Sequence, residues 1–121
     1  MFKLKKAGII SLFFLCSCNP HEKYLLIIGD WNGSEWLVDG KPGLRNAQET
    51  HFNFNDGGNY TFIYGSTIEK GKYKIDDNKL YTKPLGQEEI MVNIGKLTAD
   101  SLIFVMNRSG VHEILILLKS Y

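Results

Sequence analysis

Cysteine and histidine are scarce in this chain. Its two cysteines, Cys16 and Cys18, both lie near the amino terminus, so no disulfide can form within the remaining sequence. The three histidines, His21, His51 and His112, are far apart and have no metal-ligand spacing. We expect them at the surface or rim of the fold. The sequence predicts no metal site, and stability must come from packing and strand pairing.

The chain also lacks a large net charge and a catalytic motif. Fourteen lysines and arginines balance thirteen acidic residues, so no basic field is available to attract nucleic acid. No serine lies in a nucleophile elbow, and no glycine-rich phosphate loop leads into a helix. The adjacent Glu88 and Glu89 would point to opposite faces of a strand. We therefore expect a protein that is not an enzyme.

The longest apolar run near the amino terminus is too short for a membrane span. It extends from Ala7 to Leu15, about half of what a spanning helix needs. It follows Lys3, Lys5 and Lys6 and ends in Leu15-Cys16-Ser17-Cys18, which resembles the signal and lipobox of bacterial lipoproteins. A buried first helix would explain neither the lysines nor this ending.

The lipoprotein resemblance implies removal of residues 1–17 and attachment of lipid to Cys18, with no other cofactor. Asn19 follows the cysteine, and by similarity to enterobacterial sorting this implies the outer membrane of a Gram-negative cell. Removing 17 of the 121 residues leaves 104, enough for one domain with a modest core. Without the three signal lysines, eleven basic residues face thirteen acidic ones.

Residues 18–28 are expected to form a lipidated tether and an apolar lead-in. Pro20 argues against a helix that starts directly at the lipid. The apolar run from Tyr24 to Ile28 is short for a helix and lacks strand alternation, so we expect it to lie across one end or edge of the domain.

Residues 29–121 have the pattern of an all-β domain. Short aromatic and β-branched stretches alternate with turn residues about every ten positions. The predicted strands are 30–38, 49–55, 59–64, 68–75, 79–85, 88–97, 101–107 and 111–119. Eight strands in sequence can form an open sheet, a sandwich or an up-and-down barrel. We favour the closed antiparallel barrel, because closure removes both sheet edges.

Two features of the predicted strand pattern place requirements on the fold. Trp31 and Trp36 are an odd number of residues apart, so both face inward only if a bulge lies between them, which Gly33 permits. The last two strands are apolar on both faces and need cover outside the barrel. The run from Tyr24 to Ile28 is the candidate for that cover, with a dimer interface as the alternative.

Several motifs together resemble the small bacterial lipocalin-like, or calycin-type, domains. Gly29-Asp30-Trp31 matches the Gly-x-Trp signature at the start of their first strand. The segments 52–62, 71–80 and 97–102 match their recurring pattern of aromatic, glycine and aspartate positions. The resemblance implies a lipocalin-like barrel, commonly in a Gram-negative lipoprotein. Lipocalins usually pack a late arginine on the signature tryptophan; here the last strand offers Lys119, and Arg108 lies in the preceding turn.

Aromatic residues are the best candidates for a ligand site. They either fill the barrel as core or line a shallow apolar cup, with Glu35 or Arg45 at its mouth to fix a polar end. The candidate ligand-binding residues are Trp36, Tyr60, Phe62, Tyr64, Tyr73 and Phe104. Trp36 and Tyr64, near strand ends, are the candidates for a rim.

Two functions therefore remain open. One is a lipid-anchored binding protein of the cell envelope for a small apolar or amphipathic ligand. The other is an envelope protein-interaction module, such as an inhibitor, immunity or assembly factor, with a solid barrel core. A lumen without a void excludes the first, and an uncovered apolar outer face on the last two strands favours the second.

Overall fold

The computed structural model describes residues 20–121, and within them the chain forms one α-helix, one short 3₁₀ helix and eight strands. The predicted signal, residues 1–17, and the predicted lipid site, Cys18, lie outside the described residues. The elements are α1 (Pro20–Ile27), β1 (Gly29–Val38), the 3₁₀ helix (Ala47–Glu49), β2 (Thr50–Phe54), β3 (Asn59–Tyr64), β4 (Thr67–Asp76), β5 (Lys79–Pro84), β6 (Ile90–Leu97), β7 (Ser101–Arg108) and β8 (Val111–Lys119).

The strands form a closed antiparallel barrel. Each strand pairs with the next in sequence, and β8 pairs with β1 to complete the ring. Residues with positive φ, such as Gly58 and Asp77, form the tight turns between strands. Inward positions of β4, including Tyr73 and Ile75, are buried while the intervening lysines are exposed. The predicted up-and-down barrel is confirmed.

A bulge in β1 brings both tryptophans to the inside. The pairing of β1 with β8 shifts between Gly33 and Glu35, so Ser34 is the extra residue. Trp31 on one side of the shift and Trp36 on the other are both buried. A Cβ at Gly33 would collide with the carbonyl oxygen of Ala47, so the bulge also depends on a residue without a side chain. The predicted bulge is confirmed.

Helix α1 closes one end of the barrel, which we call the closed end. The helix begins at Pro20, although we had expected a non-helical tether there. Proline is favoured at the first helical position because it has no N–H to leave unpaired and its φ is already helical. Ile27 is fully buried, and the backbone N–H of Ile75 donates a 2.8 Å hydrogen bond to the hydroxyl of Tyr24. Within residues 20–121, no helix has both the length and the apolar character needed to span a membrane.

The apolar outer faces of β7 and β8 lack the cover expected from residues 24–28. Helix α1 makes its main contacts with β4 and β6 instead. On the outside of β8, Ile114 and Ile116 are half-buried and Leu118 is 47% exposed. The lead-in therefore lies across an end of the domain, as predicted, and leaves this outer face partly open.

Lys119 packs on the signature tryptophan, where lipocalins usually place an arginine. Its Nζ lies 4.6 Å from the centre of the Trp31 ring and donates to the carbonyl oxygen of Ile28 at 2.6 Å. Burial lowers the pKa of Lys119 from its ordinary value, and Asp30 acts in the opposite direction. Gly29 has φ of 131°, and a Cβ there would lie 2.8 Å from the Lys119 side chain. The Gly-x-Trp motif thus leaves space for the cation that packs on its tryptophan.

Candidate functional site

A cavity of about 320 Å³ occupies the half of the barrel opposite α1. Aromatic and aliphatic side chains form most of its wall, and polar groups lie at a few points. The lining residues are Trp36, Phe52, Tyr60, Phe62, Glu69, Leu80, Thr82, Ile90, Met91, Val92, Phe104, Met106, Asn107, Arg108 and Leu115. A mostly apolar wall with few polar groups, at the lower end of the usual volume range, is typical of a small-molecule site.

The wall of this cavity is open between β6 and β7. The pairing of these strands reaches only to Asn93 and Val105. Beyond that pair, residues 90–92 of β6 pair only with β5, and residues 106–108 of β7 pair only with β8. Both segments line the cavity, including Met91 and Asn107, which alternation would otherwise direct outward. The gap between the two strands therefore gives access to the lumen from the end opposite α1, which we call the open end.

A tyrosine and a carboxylate form the polar part of the β3–β4 wall. The Tyr60 hydroxyl donates a 2.7 Å hydrogen bond to Oε2 of Glu69. Burial, and then this hydrogen bond, raise the pKa of Tyr60 above its ordinary value, so its hydroxyl keeps its proton and remains a donor. Thr82 of β5 lines the same cavity and acts on the pKa of Tyr60 in the opposite, lowering direction.

A second carboxylate, Glu113, is buried on the opposite side of the open end. It is 2% exposed and accepts a 2.8 Å hydrogen bond from the indole Nε1 of Trp36. The Nε of Arg45 lies 3.6 Å from its Oε1, and the Nε of Arg108 lies 3.7 Å from its Oε2. One buried carboxylate thus pairs with two arginines, one from the connection between β1 and β2 and one from the end of β7.

Trp36 joins the connection between β1 and β2 to the barrel. The guanidinium of Arg45 lies 5.8 Å from its ring centre, and the ring of Tyr64 meets it edge-on at 5.7 Å. The backbone N–H of Asn46 donates to the Tyr64 hydroxyl at 3.2 Å. Glu35 is exposed, and these side chains border an open hollow of about 590 Å³ outside the barrel. This hollow is wider and more polar than the lumen.

The structure divides the six predicted ligand-binding residues into three groups. Trp36, Tyr60, Phe62 and Phe104 line the cavity. Tyr64 borders the outer hollow and contacts Trp36, which fits its predicted place at the rim. The remaining residue, Tyr73, lies outside the cavity lining.

Tyr73 packs towards the closed end. It contacts Phe54 at 4.9 Å and Tyr24 of α1 at 6.0 Å between ring centres, and its hydroxyl donates to the carbonyl oxygen of Asn55. Its side chain does face inward, as the alternation predicts, but at the other end of the barrel. It is a core residue and takes no part in the cavity.

Two acidic residues inside the barrel, Glu69 and Glu113, are not among the predicted ligand-binding residues. Glu69 has the inward parity of Tyr73, and Glu113 has that of Leu115 and Leu117, so alternation alone places both carboxylates inside. Arg108 likewise shares the parity of Phe104. The sequence signal that could have identified these residues is a charged side chain on the otherwise apolar face of a strand.

The described residues contain no group of three or more histidine, cysteine, aspartate or glutamate side chains that could hold a metal ion. His51 and His112 are exposed.

Comparisons with known proteins agree with this architecture. The family model described as a lipocalin-like domain matches residues 27–104. A solved lipocalin-like protein from Bacteroides uniformis is similar with a TM-score of 0.60 and 14% identity, covering 78% of this chain and 98% of the other. An uncharacterized protein from Bacteroides eggerthii is similar with a TM-score of 0.62 and 14% identity, covering 78% and 99%. No curated protein gives a significant match.

Proposed function

The chain belongs to the family of lipocalin-like domains, and from this we propose that it binds a small apolar or amphipathic molecule in the lumen of its barrel, without catalysis. The observation that carries the proposal is the 320 Å³ cavity with its mainly apolar wall. A filled barrel, which the interaction-module alternative assumed, has no such space. At about 30 Å³ for a group the size of a water molecule, the lumen accommodates roughly ten non-hydrogen atoms.

The location that we propose is the cell envelope, with the protein held at a membrane by lipid on Cys18. Support comes from the sequence Leu15-Cys16-Ser17-Cys18 after a basic and apolar leader. Metabolic labelling with a palmitate analogue tests this part separately. Labelling that disappears in Cys18→Ala is expected, and labelling that persists there contradicts the anchor.

Binding is tested by mass spectrometry of small molecules that co-purify with the full chain. We expect an apolar or amphipathic compound of about the size of the lumen. The matched pair Val92→Trp and Asn93→Trp gives the control, because Val92 lines the cavity and its neighbour Asn93 is exposed. The indole at position 92 should fill the lumen and remove the compound, whereas the one at position 93 should leave it bound.

The outer face of β7 and β8 supports a second candidate function, contact with an envelope protein. Its residues Ile114 and Ile116 are half-buried, and Leu118 is 47% exposed. A photo-crosslinking residue at position 118 tests this candidate in intact cells, with the exposed outward position Lys74 as the control. A discrete partner at position 118 alone is expected. Identical products at both positions would contradict a specific interface.

A further inference from the structure

The lumen has a charged group at its opening, and that group narrows the chemistry of the ligand. Arg108 lines the cavity at the gap between β6 and β7, and its side chain is 53% exposed. Arg45 reaches the same end of the barrel from the β1–β2 connection, with 41% exposure. Arg108 therefore lies where a molecule with its apolar part in the lumen would place a polar end, and Arg45 borders the adjoining outer hollow, on the other side of Glu113.

The charge of this cluster is not balanced. Two guanidinium groups share the single carboxylate of Glu113, which leaves this cluster of three residues with a formal charge of +1. The carboxylate cannot turn towards solvent, because it is 2% exposed and accepts the Trp36 hydrogen bond. Glu113 therefore attracts both arginines and offsets only part of their charge.

The arginines also keep hydrogen-bond donors free for a ligand. A guanidinium carries five N–H donors. Both contacts with Glu113 run through Nε at 3.6 and 3.7 Å, longer than a hydrogen bond. Among residues 20–121, neither Arg45 nor Arg108 donates a side-chain hydrogen bond to another protein group. Arginine donors that are held in position match the geometry of an oxyanion.

We propose that the ligand of this barrel is an amphipathic anion, with a carboxylate or phosphate head on Arg108 and Arg45 and an apolar chain of roughly ten atoms in the lumen. This inference rests on the proposed function. Glu69 lines the β4 wall, and β4 lies opposite β8 in the ring of eight strands. Its charge repels an anion from that wall, which favours the arginine side for the head group.

The test compares four probes with the same ten-carbon chain: decanoate, decyl phosphate, decanol and decyltrimethylammonium. Calorimetry with the full chain measures each affinity. We expect the two anions to bind about tenfold more tightly than decanol, and the cation more weakly than decanol. The difference between decanoate and decyl phosphate shows which oxyanion the site prefers.

Arg108→Met keeps an apolar stem and removes the charge. It should lower decanoate affinity about tenfold and change decanol affinity by less than about twofold, and circular dichroism reports whether the variant is folded. The control Lys83→Met removes an exposed charge from β5, outside the cavity lining, and should change neither.

The outcomes separate the two proposals. Equal binding of all four probes, or stronger binding of the cation, overturns the anionic head group and leaves the binding function standing. Equal losses for decanoate and decanol in Arg108→Met also overturn it, because they indicate a purely structural role. If no probe binds, both the inference and the proposed function fail.

Discussion

The two ends of the barrel use the same pair of groups, a tryptophan and a cation, for different purposes. At the closed end, Trp31 donates its indole N–H to the backbone carbonyl of Ile27, and Lys119 lies over its ring. At the open end, Trp36 donates to the carboxylate of Glu113, and Arg45 lies over its ring. One strand, β1, supplies both tryptophans.

The difference between these ends lies in what surrounds each pair. Trp31 is fully buried beneath α1, and its indole is satisfied by backbone that packing holds fixed. Trp36 lines a cavity, and its partners are side chains: Glu113 of β8 and Arg45 of the connection between β1 and β2. Exposed apolar side chains, among them Leu44, Leu85 and Met91, also lie at the open end. The closed end therefore contributes stability, and the open end contains the cavity in which we propose that a ligand binds.

Replacing each tryptophan by alanine should separate these roles most strongly. Trp31→Ala removes a fully buried side chain and is expected to lower the free energy of unfolding by about 3–5 kcal/mol. Trp36→Ala should cost less, because one side of its ring already faces a cavity. Urea unfolding followed by circular dichroism measures both. Equal losses of unfolding free energy in the two variants would contradict this difference between the two ends.

Two glycines provide a smaller contrast in backbone strain. Gly29→Ala forces a side chain onto φ of 131° and against Lys119, and should cost about 2–3 kcal/mol. Gly43 in the β1–β2 connection has φ of 103° with open space around it, so Gly43→Ala should cost about 1 kcal/mol. Thermal unfolding of the two variants gives the comparison. A larger loss at Gly43 would show that the connection is the more constrained segment.

Glu113→Gln tests how far the open end depends on charge. The amide oxygen can still accept the Trp36 hydrogen bond, but both arginines lose their counter-charge. Because the arginines are half exposed, we expect a loss of only about 1–2 kcal/mol, smaller in high salt. The exposed Glu35→Gln on the same end should change stability by less than about 0.5 kcal/mol. A loss that does not vary with salt would indicate packing as the cause.

The smallest effect concerns pH at the closed end. Burial raises the pKa of Tyr73 to about 12, against about 10 in an unfolded chain. The native state thus keeps a proton that the unfolded state has lost, so stability should fall as pH rises from about 10 to 12. Tyr73→Phe removes the hydrogen bond to Asn55 and should lower the free energy of unfolding by about 1 kcal/mol at neutral pH. Above pH 10, the free energy of unfolding of this variant should fall less steeply than that of the original protein. Urea midpoints across this range measure both, and parallel curves would contradict the assignment.

Period-2 alternation explains why the fold could be predicted from sequence. Turn residues divided the chain into strands, and the odd spacing of Trp31 and Trp36 required the bulge that is found at Ser34. Alternation states which face of a strand a residue occupies. The same rule could have placed Glu69 and Glu113 inside the barrel, because both share parity with buried neighbours.

Alternation does not predict the position of a residue along the barrel axis. For this reason, part of the site could not be predicted from the sequence. Tyr73 and Glu69 face inward from the same strand, yet only Glu69 lines the cavity. The gap between β6 and β7 depends on where the pairing of the two strands ends, after Asn93 and Val105. No sequence signal in either strand predicts that position. The helix at Pro20 depends on packing against β4 and β6, which a local pattern does not contain.

The position of α1 bears on how a lipid-anchored form of the molecule would be oriented. The described chain begins with α1 at the closed end, whereas the cavity opens at the other end. With strands of up to ten residues at about 3.3 Å per residue and a tilt near 40°, the two ends are about 25 Å apart. A barrel held by lipid at Cys18 would therefore present its opening away from its own bilayer, and would exchange cargo with the aqueous compartment or with a surface that faces it.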